Sequence, residues 1–272
     1  MTNGEPPLKI AFVIGCARSG TSILGELIGS HPGVEYRHEA HHIWAKAGEG
    51  EGGSHRLTAA HATPAVRRTI QKRFEAKNGG AALVVEKNPR SMLRIPFLRV
   101  VFPEAKIVHI VRDGRDVACS MMPGIGGAEW RHLKPPAWRE LLRDEKGVVR
   151  CAKAWRDVLE IALDDLQHTP HYSLKYEDLV AAPERVAAGV LEYLGLEMHP
   201  AVLEYCVLVQ DATADSYQPA KQQKWFRDDH ARRVGRWREN LSADEIHSVE
   251  RVLAPLLTRL GYEASLPVTP RR

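Results

Sequence analysis

The stretch KIAFVIGCARSGTSILGELIGS, residues 9–30, decides the fold. Its opening, from Lys9 to Ile14, is a short apolar, β-branched run that Gly15 ends. Such a run, without polar alternation, is the pattern of a strand covered on both faces. From Thr21 to Ser30 the apolar residues fall at 23, 24, 27 and 28, a helical spacing, and His31-Pro32-Gly33 stops it. The turn between them, Gly15-Cys16-Ala17-Arg18-Ser19-Gly20-Thr21-Ser22, is suited to an oxyanion. A helix N-terminus presents free N–H groups and partial positive charge, and glycine lets the backbone come close to the anion. The spacing fits G-x-x-x-x-G-K-[ST], except that Thr21 stands where a lysine would neutralise the phosphates of a nucleoside triphosphate. The positive charge sits inside the loop instead, on Arg18, which argues against ordinary ATP or GTP hydrolysis.

Outward from this unit the same alternation continues. Buried strands are expected over 81–85 and 106–111 and a short one over 172–175. Helices are expected over 64–77, 91–102 (interrupted by Pro96), 113–122, 148–166, 183–194 and 242–260. Ser242 and Glu245 form a capping box for the last helix and Gly261 stops it. Alternating strands and helices imply a single α/β domain of three layers, with a central parallel sheet and helices on both faces. Its core runs from about 9 to 261, with flexible loops at about 48–55, 124–143 and 211–233.

Composition narrows the class. A chain of 272 residues with 44% apolar and 26% charged side chains folds without staples, and global disorder is excluded. The net charge of +4 suits an anionic ligand, and 7% aromatics give no base-stacking stripe. Cys16, Cys119, Cys151 and Cys206 form no C-x-x-C pair, which fits a reducing compartment. No segment approaches the ~20 apolar residues of a membrane span, nor is there a secretory leader pattern. A soluble cytoplasmic protein is expected.

A second strand-to-helix transition, Ile107-Val108-His109-Ile110-Val111-Arg112-Asp113-Gly114-Arg115-Asp116-Val117-Ala118-Cys119-Ser120, places Arg112 at the carboxyl end of a strand, where open α/β sheets bind ligands. Ser120 lies eight residues on. An arginine fork and a hydroxyl at this separation can hold a second phosphate. The competing use is a surface network in which Arg112 or Arg115 pairs with Asp113 or Asp116.

Together, R-S-G-T-S after the first strand and I-V-R-D-G-R-D-V-A-C-S after a later one resemble the sulfotransferases that use 3′-phosphoadenosine 5′-phosphosulfate (PAPS). The likeness extends to Glu86-Lys87-Asn88-Pro89, Tyr176-Glu177-Asp178-Leu179 and Val234-Gly235-Arg236-Trp237-Arg238-Glu239-Asn240-Leu241. It implies the P-loop nucleotide-hydrolase-like sulfotransferase fold. Arg18, Ser19, Gly20, Thr21 and Ser22 would bind the 5′-phosphosulfate, Arg112 and Ser120 the 3′-phosphate, and Tyr176 would also belong to the nucleotide site. An arginine in the first loop is similar to the tyrosylprotein and carbohydrate branches, whereas cytosolic members usually carry lysine there.

Sulfuryl transfer, like phosphoryl transfer, calls for positioning and charge stabilisation more than covalent help. The tyrosylprotein branch places a glutamate base 21 residues after its loop arginine, the position of Glu39 here. Lys87 falls at that branch's catalytic lysine. The resemblance therefore implies Glu39 as base, with Lys87 and Arg18 as electrophilic stabilisers. Alternatives are a base among His38, His41 and His42, or a solvated Glu39 paired with Arg37. His38-Glu39-Ala40-His41-His42 also fits the zinc pattern H-E-x-x-H, but that chemistry needs both histidines on one face of a regular helix. This segment follows a turn and a short strand, so no metal is expected.

Lys221, Lys224, Arg227, Arg232, Arg233, Arg236 and Arg238 crowd the carboxy-terminal segment. Gly235-Arg236-Trp237 resembles the family's late loop over the nucleotide. That implies a contact from Arg232, Arg233 or Gly235 to the 3′-phosphate, with Arg236 close by. The expected activity is transfer of the sulfuryl group of PAPS to a hydroxyl of a small-molecule, glycan or phenolic acceptor. A protein-modifying enzyme of a lumenal compartment would carry a membrane anchor. The rivals are a P-loop kinase of a small metabolite using ATP and magnesium, and a non-catalytic nucleotide- or nucleic-acid-binding module.

Overall fold

Five parallel strands, β1 (Ile10–Ile14), β2 (Val34–His38), β3 (Leu83–Lys87), β4 (Lys106–Val111) and β5 (Tyr172–Lys175), form a sheet in the order β2-β3-β1-β4-β5. The computed structural model describes residues 9–75, 81–210, 230 and 233–263. Register aligns Val13 with Lys87 and Val108, His38 with Lys87, and Val111 with Lys175. The carboxyl ends of all five strands therefore share one edge.

β1 lies at the centre of the sheet, and its side chains alternate between two cores. Phe12 and Ile14 face the core built with α3 (Pro64–Glu75), α4 (Ile95–Val101), α5 (Gly114–Ile125), α7 (Gly147–Leu166) and α12 (Ala243–Arg259). Ala11 and Val13 face the core built with α1 (Thr21–Gly29), α8 (Tyr176–Ala181), α9 (Pro183–Leu194) and α10 (Pro200–Gln210). The expected three-layer arrangement results. In the first core Phe12 meets Trp44, Phe74 and Phe102 at centroid separations of 6.0, 6.1 and 5.8 Å. Each such pair adds about 0.5–1.5 kcal/mol beyond the area it buries. Shorter helices α2 (His41–Trp44), α6 (Trp138–Asp144) and α11 (Trp237–Asn240) lie in the connections.

Several expected boundaries are corrected. The strand expected over 81–85 starts at Leu83 and continues through Glu86 and Lys87, because both polar side chains are satisfied where they are buried. Trp44 Nε1–H donates to Glu86 Oε1 at 3.0 Å, and Lys87 is bonded within the site below. The helix expected over 91–102 is two pieces, a 3₁₀ turn (Pro89–Leu93) and α4, separated at Arg94. Pro96 does not interrupt a helix; it lies in the first turn of α4, where its missing N–H costs nothing. The segment 124–143 is only partly irregular: α5 runs to Ile125 and α6 begins at Trp138. The segment expected over 211–233 lies outside the described residues except for His230 and Arg233, as do 76 and 77 of the helix expected over 64–77. α10 was not foreseen, because its apolar residues do not keep to one helix face. The four cysteines are free and buried.

Candidate active site

The connection leaving β1 runs through α1 toward β2, and the connection leaving β4 runs toward β5 on the other side. That reversal opens a crevice between the carboxyl ends of β1 and β4, the place where open α/β sheets take ligands. Arg18 follows β1 and Arg112 follows β4, so both anion motifs border the same crevice.

The first loop is held by unusual backbone. Gly20 has φ 91°, and a Cβ there would lie 2.4 Å from Tyr176 Cδ2. Tyr176 is buried beneath the loop, and Arg112 Cζ lies 4.5 Å from its ring centroid. The structure thus places Tyr176 as a support rather than on the open surface. Gly20→Ala is expected to cost about 1–3 kcal/mol of stability through forced left-handed backbone and the clash. Urea unfolding with and without adenosine 3′,5′-bisphosphate (PAP) measures this. The stabilisation by PAP should shrink together with the basal stability.

Arg112 fastens two loops together. Its Nη1 donates to Arg18 O at 3.2 Å, its Nη2 donates to Arg233 O, and Asp116 Oδ2 lies 3.6 Å from Nη2. Asp116 in turn accepts from the backbone N–H of Gly235 at 2.8 Å and of Trp237 at 3.0 Å. Arg18 Nε donates to Ser120 Oγ at 3.0 Å. Arg18, Ser120, Arg112, Arg233, Gly235 and Arg236 are thereby gathered at one place, while Arg232 lies outside the described residues. Thr21 and Ser22 open α1 below them. Burial, then the charges of Arg233, Arg112 and Arg236, hold the Arg18 guanidinium below its ordinary pKa. The arginine–aspartate network open in the sequence forms for both arginines, Arg112 with Asp116 and Arg115 with Asp113, but it is buried rather than on the surface. Arg115 bonds Asp113 at 2.8 Å and Glu250 at 2.6 Å, tying α5 to α12.

Four arginines, Arg18, Arg112, Arg233 and Arg236, gather here with Asp116, a concentration of positive charge that suits a doubly phosphorylated ligand. Ser19 Oγ and Arg112 Nε are buried and lack hydrogen-bond partners among the described residues, which also suits an oxyanion. The residues present therefore fit PAPS. Among the described residues no group of three or more His, Cys, Asp or Glu side chains could hold a metal ion.

Beside this cluster, Lys87 is buried at the end of β3. Its Nζ donates to Glu39 Oε1 at 2.7 Å and to His38 Nε2 at 2.9 Å. An ammonium has no acceptor, so His38 Nε2 must offer its lone pair. Burial first, then the Lys87 charge, lowers the His38 pKa, in keeping with a neutral ring. Burial would raise the Glu39 carboxyl, but the Lys87 hydrogen bond and charge, with His38 and His41, bring it below its ordinary value. His41 Nε2 lies 3.4 Å from Glu39 Oε2. Arg37 pairs instead with Glu35 at 2.7 Å, so the alternative Arg37–Glu39 pair is not formed. His38 ends a strand and His41 starts a short helix, so the H-E-x-x-H spacing does not lie on one helix.

Among the described residues Arg18 (φ 75°) and Glu39 (φ 45°) are the non-glycine positions with left-handed backbone. Each costs on the order of 1–3 kcal/mol and persists only where the surroundings enforce it. The Glu39 N–H donates to Lys87 O at 2.8 Å, which fixes its strained turn against β3.

Two cavities adjoin these groups. One of about 180 Å³ is lined by Glu39, His41, His55, Arg90, Arg131 and His132, among others. The other, of about 220 Å³, is lined by Arg18 and Ser120 and shares Arg131 and His132 with the first. Buried Arg150 supports this shared wall by donating to the backbone carbonyls of Ile125, Gly127, Leu142 and Glu145. No sequence signal pointed to His55, Arg90 or His132 as site residues, because each stands alone outside any motif.

The pattern of the sulfotransferase family matches residues 11–200 of this chain. The chain belongs to the sulfotransferase family. Its enzyme class is that of the PAPS-dependent sulfotransferases, with PAPS as co-substrate, and this supersedes the kinase and non-catalytic readings. Protein-tyrosine sulfotransferase 1 of Danio rerio is 24% identical over 277 residues, spanning 94% of this chain and 73% of the relative. The omega-hydroxy-beta-dihydromenaquinone-9 sulfotransferase of Mycobacterium bovis is 33% identical over 153 residues, 54% of this chain and 38% of the relative. The sulfotransferase domain from the curacin biosynthetic pathway has a TM-score of 0.63 at 16% identity, covering 96% of this chain and all of that domain. Relatives of this sulfotransferase thus carry the names of unlike acceptors, a protein tyrosine and a menaquinone derivative. Among the described residues no helix is long and apolar enough to cross a membrane.

Proposed function

We propose that this sulfotransferase moves the sulfuryl group of PAPS to a hydroxyl of a small-molecule, glycan or phenolic acceptor in the cytoplasm, with Glu39 as the base. The observation that carries the reading is the Glu39–Lys87 pair at 2.7 Å, next to the cavity wall shared with Arg18 and Ser120. The donor supplies an activated sulfuryl group whose departure leaves a phosphate. Residues 18–22, with Arg112, Ser120, Arg233, Gly235 and Arg236, hold its charged ends. Lys87 and Arg18 carry the positive charge that stabilises the oxygens where negative charge grows. Glu39 accepts a hydrogen bond from the acceptor hydroxyl and takes its proton as that oxygen becomes acidic. Tyr176 and Asp116 act through other residues: one supports the first loop and Arg112, the other anchors the late loop.

The test is transfer of labelled sulfate from PAPS to a panel of alcohols, phenols and sugars by wild-type enzyme and by Glu39→Gln. Transfer by wild type and its near loss in the variant are expected. Equal transfer by both would remove Glu39 from the reaction.

A further inference from the structure

The cavity beside Glu39 has a chemistry of its own. Of the side chains named on its wall, Glu39 carries the one carboxylate, and Lys87 occupies one of its oxygens. Facing it are cations and hydrogen-bond donors. The Arg90 guanidinium is half-buried and has neither an ion pair nor a hydrogen bond among the described residues. Arg131 reaches the same wall from the loop after α5, and its guanidinium pairs with exposed Glu129 at 2.5 Å. His55 is buried, and its Nδ1 accepts from the Lys134 backbone N–H at 3.2 Å. Nδ1 being the acceptor, a neutral ring carries its hydrogen on Nε2 and offers a donor.

The field in the cavity agrees with this inventory. Burial, then Arg90, lowers the pKa of both His41 and His55, the latter to about 3. Burial, then Arg18, lowers His132 to about 4. Burial is the first cause in each case and a nearby guanidinium adds to it, so these rings face the cavity as neutral hydrogen-bonding groups beside the Arg90 guanidinium. Apolar surface on the wall is confined to short side chains such as Ala17, Pro89 and Leu133. At about 180 Å³ the space is smaller than the roughly 300–1,000 Å³ of pockets for drug-sized ligands. An extended apolar acceptor would leave these donors desolvated and unpaired.

We infer that the acceptor is a small hydroxyl compound bearing an oxyanion, carboxylate or phosphate, with the hydroxyl on Glu39 and the oxyanion on Arg90 and His55. This rests on the proposed role of Glu39 and specifies the acceptor of that site. Arg90 is then a specificity-determining residue.

The experiment uses matched pairs that differ only in the anion: 4-hydroxybenzoate against 4-hydroxybenzamide, and glycerol 3-phosphate against glycerol. Sulfation from labelled PAPS is followed for the full chain and for Arg90→Gln, and calorimetry measures binding of each compound to the enzyme–PAP complex. A charge-assisted hydrogen bond implies a preference of roughly 10- to 150-fold for the anion in at least one pair, in kcat/KM or in affinity. Arg90→Gln should collapse that preference while PAP still raises the melting temperature. No preference in either pair, by turnover or by binding, or a preference that survives Arg90→Gln, overturns the inference. The two arms separate carboxylate from phosphate. Failure of wild-type enzyme to bind PAP would count against the donor site instead, whereas wild-type enzyme that binds PAP but shows no anion preference counts against the acceptor assignment alone.

Discussion

Glu39→Gln lowers turnover by about 10²- to 10⁴-fold and leaves the affinity for PAP unchanged. The amide keeps the shape of the carboxylate, and its oxygen can still accept from Lys87, whose Nζ lies 2.7 Å from Glu39 Oε1. What disappears is the lone pair that takes the proton of the acceptor hydroxyl. The effect therefore falls on kcat, while the arginine cluster proposed to hold the nucleotide is untouched. The same group sets a pH dependence. Lys87, with His38 and His41, outweighs burial and keeps the Glu39 pKa below its ordinary value of 4.5. The proposed base is therefore ionised at neutral pH, and activity is expected to be lost only as pH falls through that lowered value. Stability follows the same sign. The contribution of the Glu39–Lys87 pair is present above the unfolded-state pKa and is lost as pH falls through the folded one. An acid limb of kcat at or above pH 6 would point to a histidine base.

Arg112→Ala is expected to weaken PAP by roughly 10- to 150-fold, the range for loss of a charged hydrogen bond, and to weaken adenosine 5′-monophosphate much less. The difference arises because Arg112 is assigned to the 3′-phosphate, which the monophosphate lacks. Part of any common loss has another origin. Arg112 also ties the carbonyls of Arg18 and Arg233 together, so its removal loosens both loops. Titration calorimetry with the two nucleotides separates these contributions. Equal losses would make Arg112 a buckle between loops and nothing more.

The elements with strong local signals were legible in the sequence. β4 and β5 fall at the expected residues, and α9 ends at Gly195 in the left-handed region. The Ser242–Glu245 capping box forms as expected. The positions of the two anion motifs followed from strand ends and glycines. What escaped was set by tertiary partners. Glu86 and Lys87 look too polar for a central strand, yet Trp44, His38 and Glu39 satisfy them there. Asp116 reads as a surface partner for an arginine, but it binds the backbone of Gly235 and Trp237, more than a hundred residues away. Tyr176 lies under Gly20 because two distant segments meet, something no spacing along the chain encodes. The wall of the cavity beside Glu39 was the least legible part, since His55, Arg90 and His132 come from three separate connections.

In the proposed mode of binding, one nucleotide spans the loop after β1 and the arginine after β4, leaving its sulfuryl end toward Glu39 and Lys87. A crystal structure of the enzyme with PAP tests this most directly. The 5′-phosphate should lie on the N–H groups of residues 18–22 and the 3′-phosphate against Arg112 and Ser120, with Lys87 near the 5′-phosphate. A nucleotide bound away from that crevice, or with its 3′-phosphate far from both Arg112 and Ser120, would contradict it.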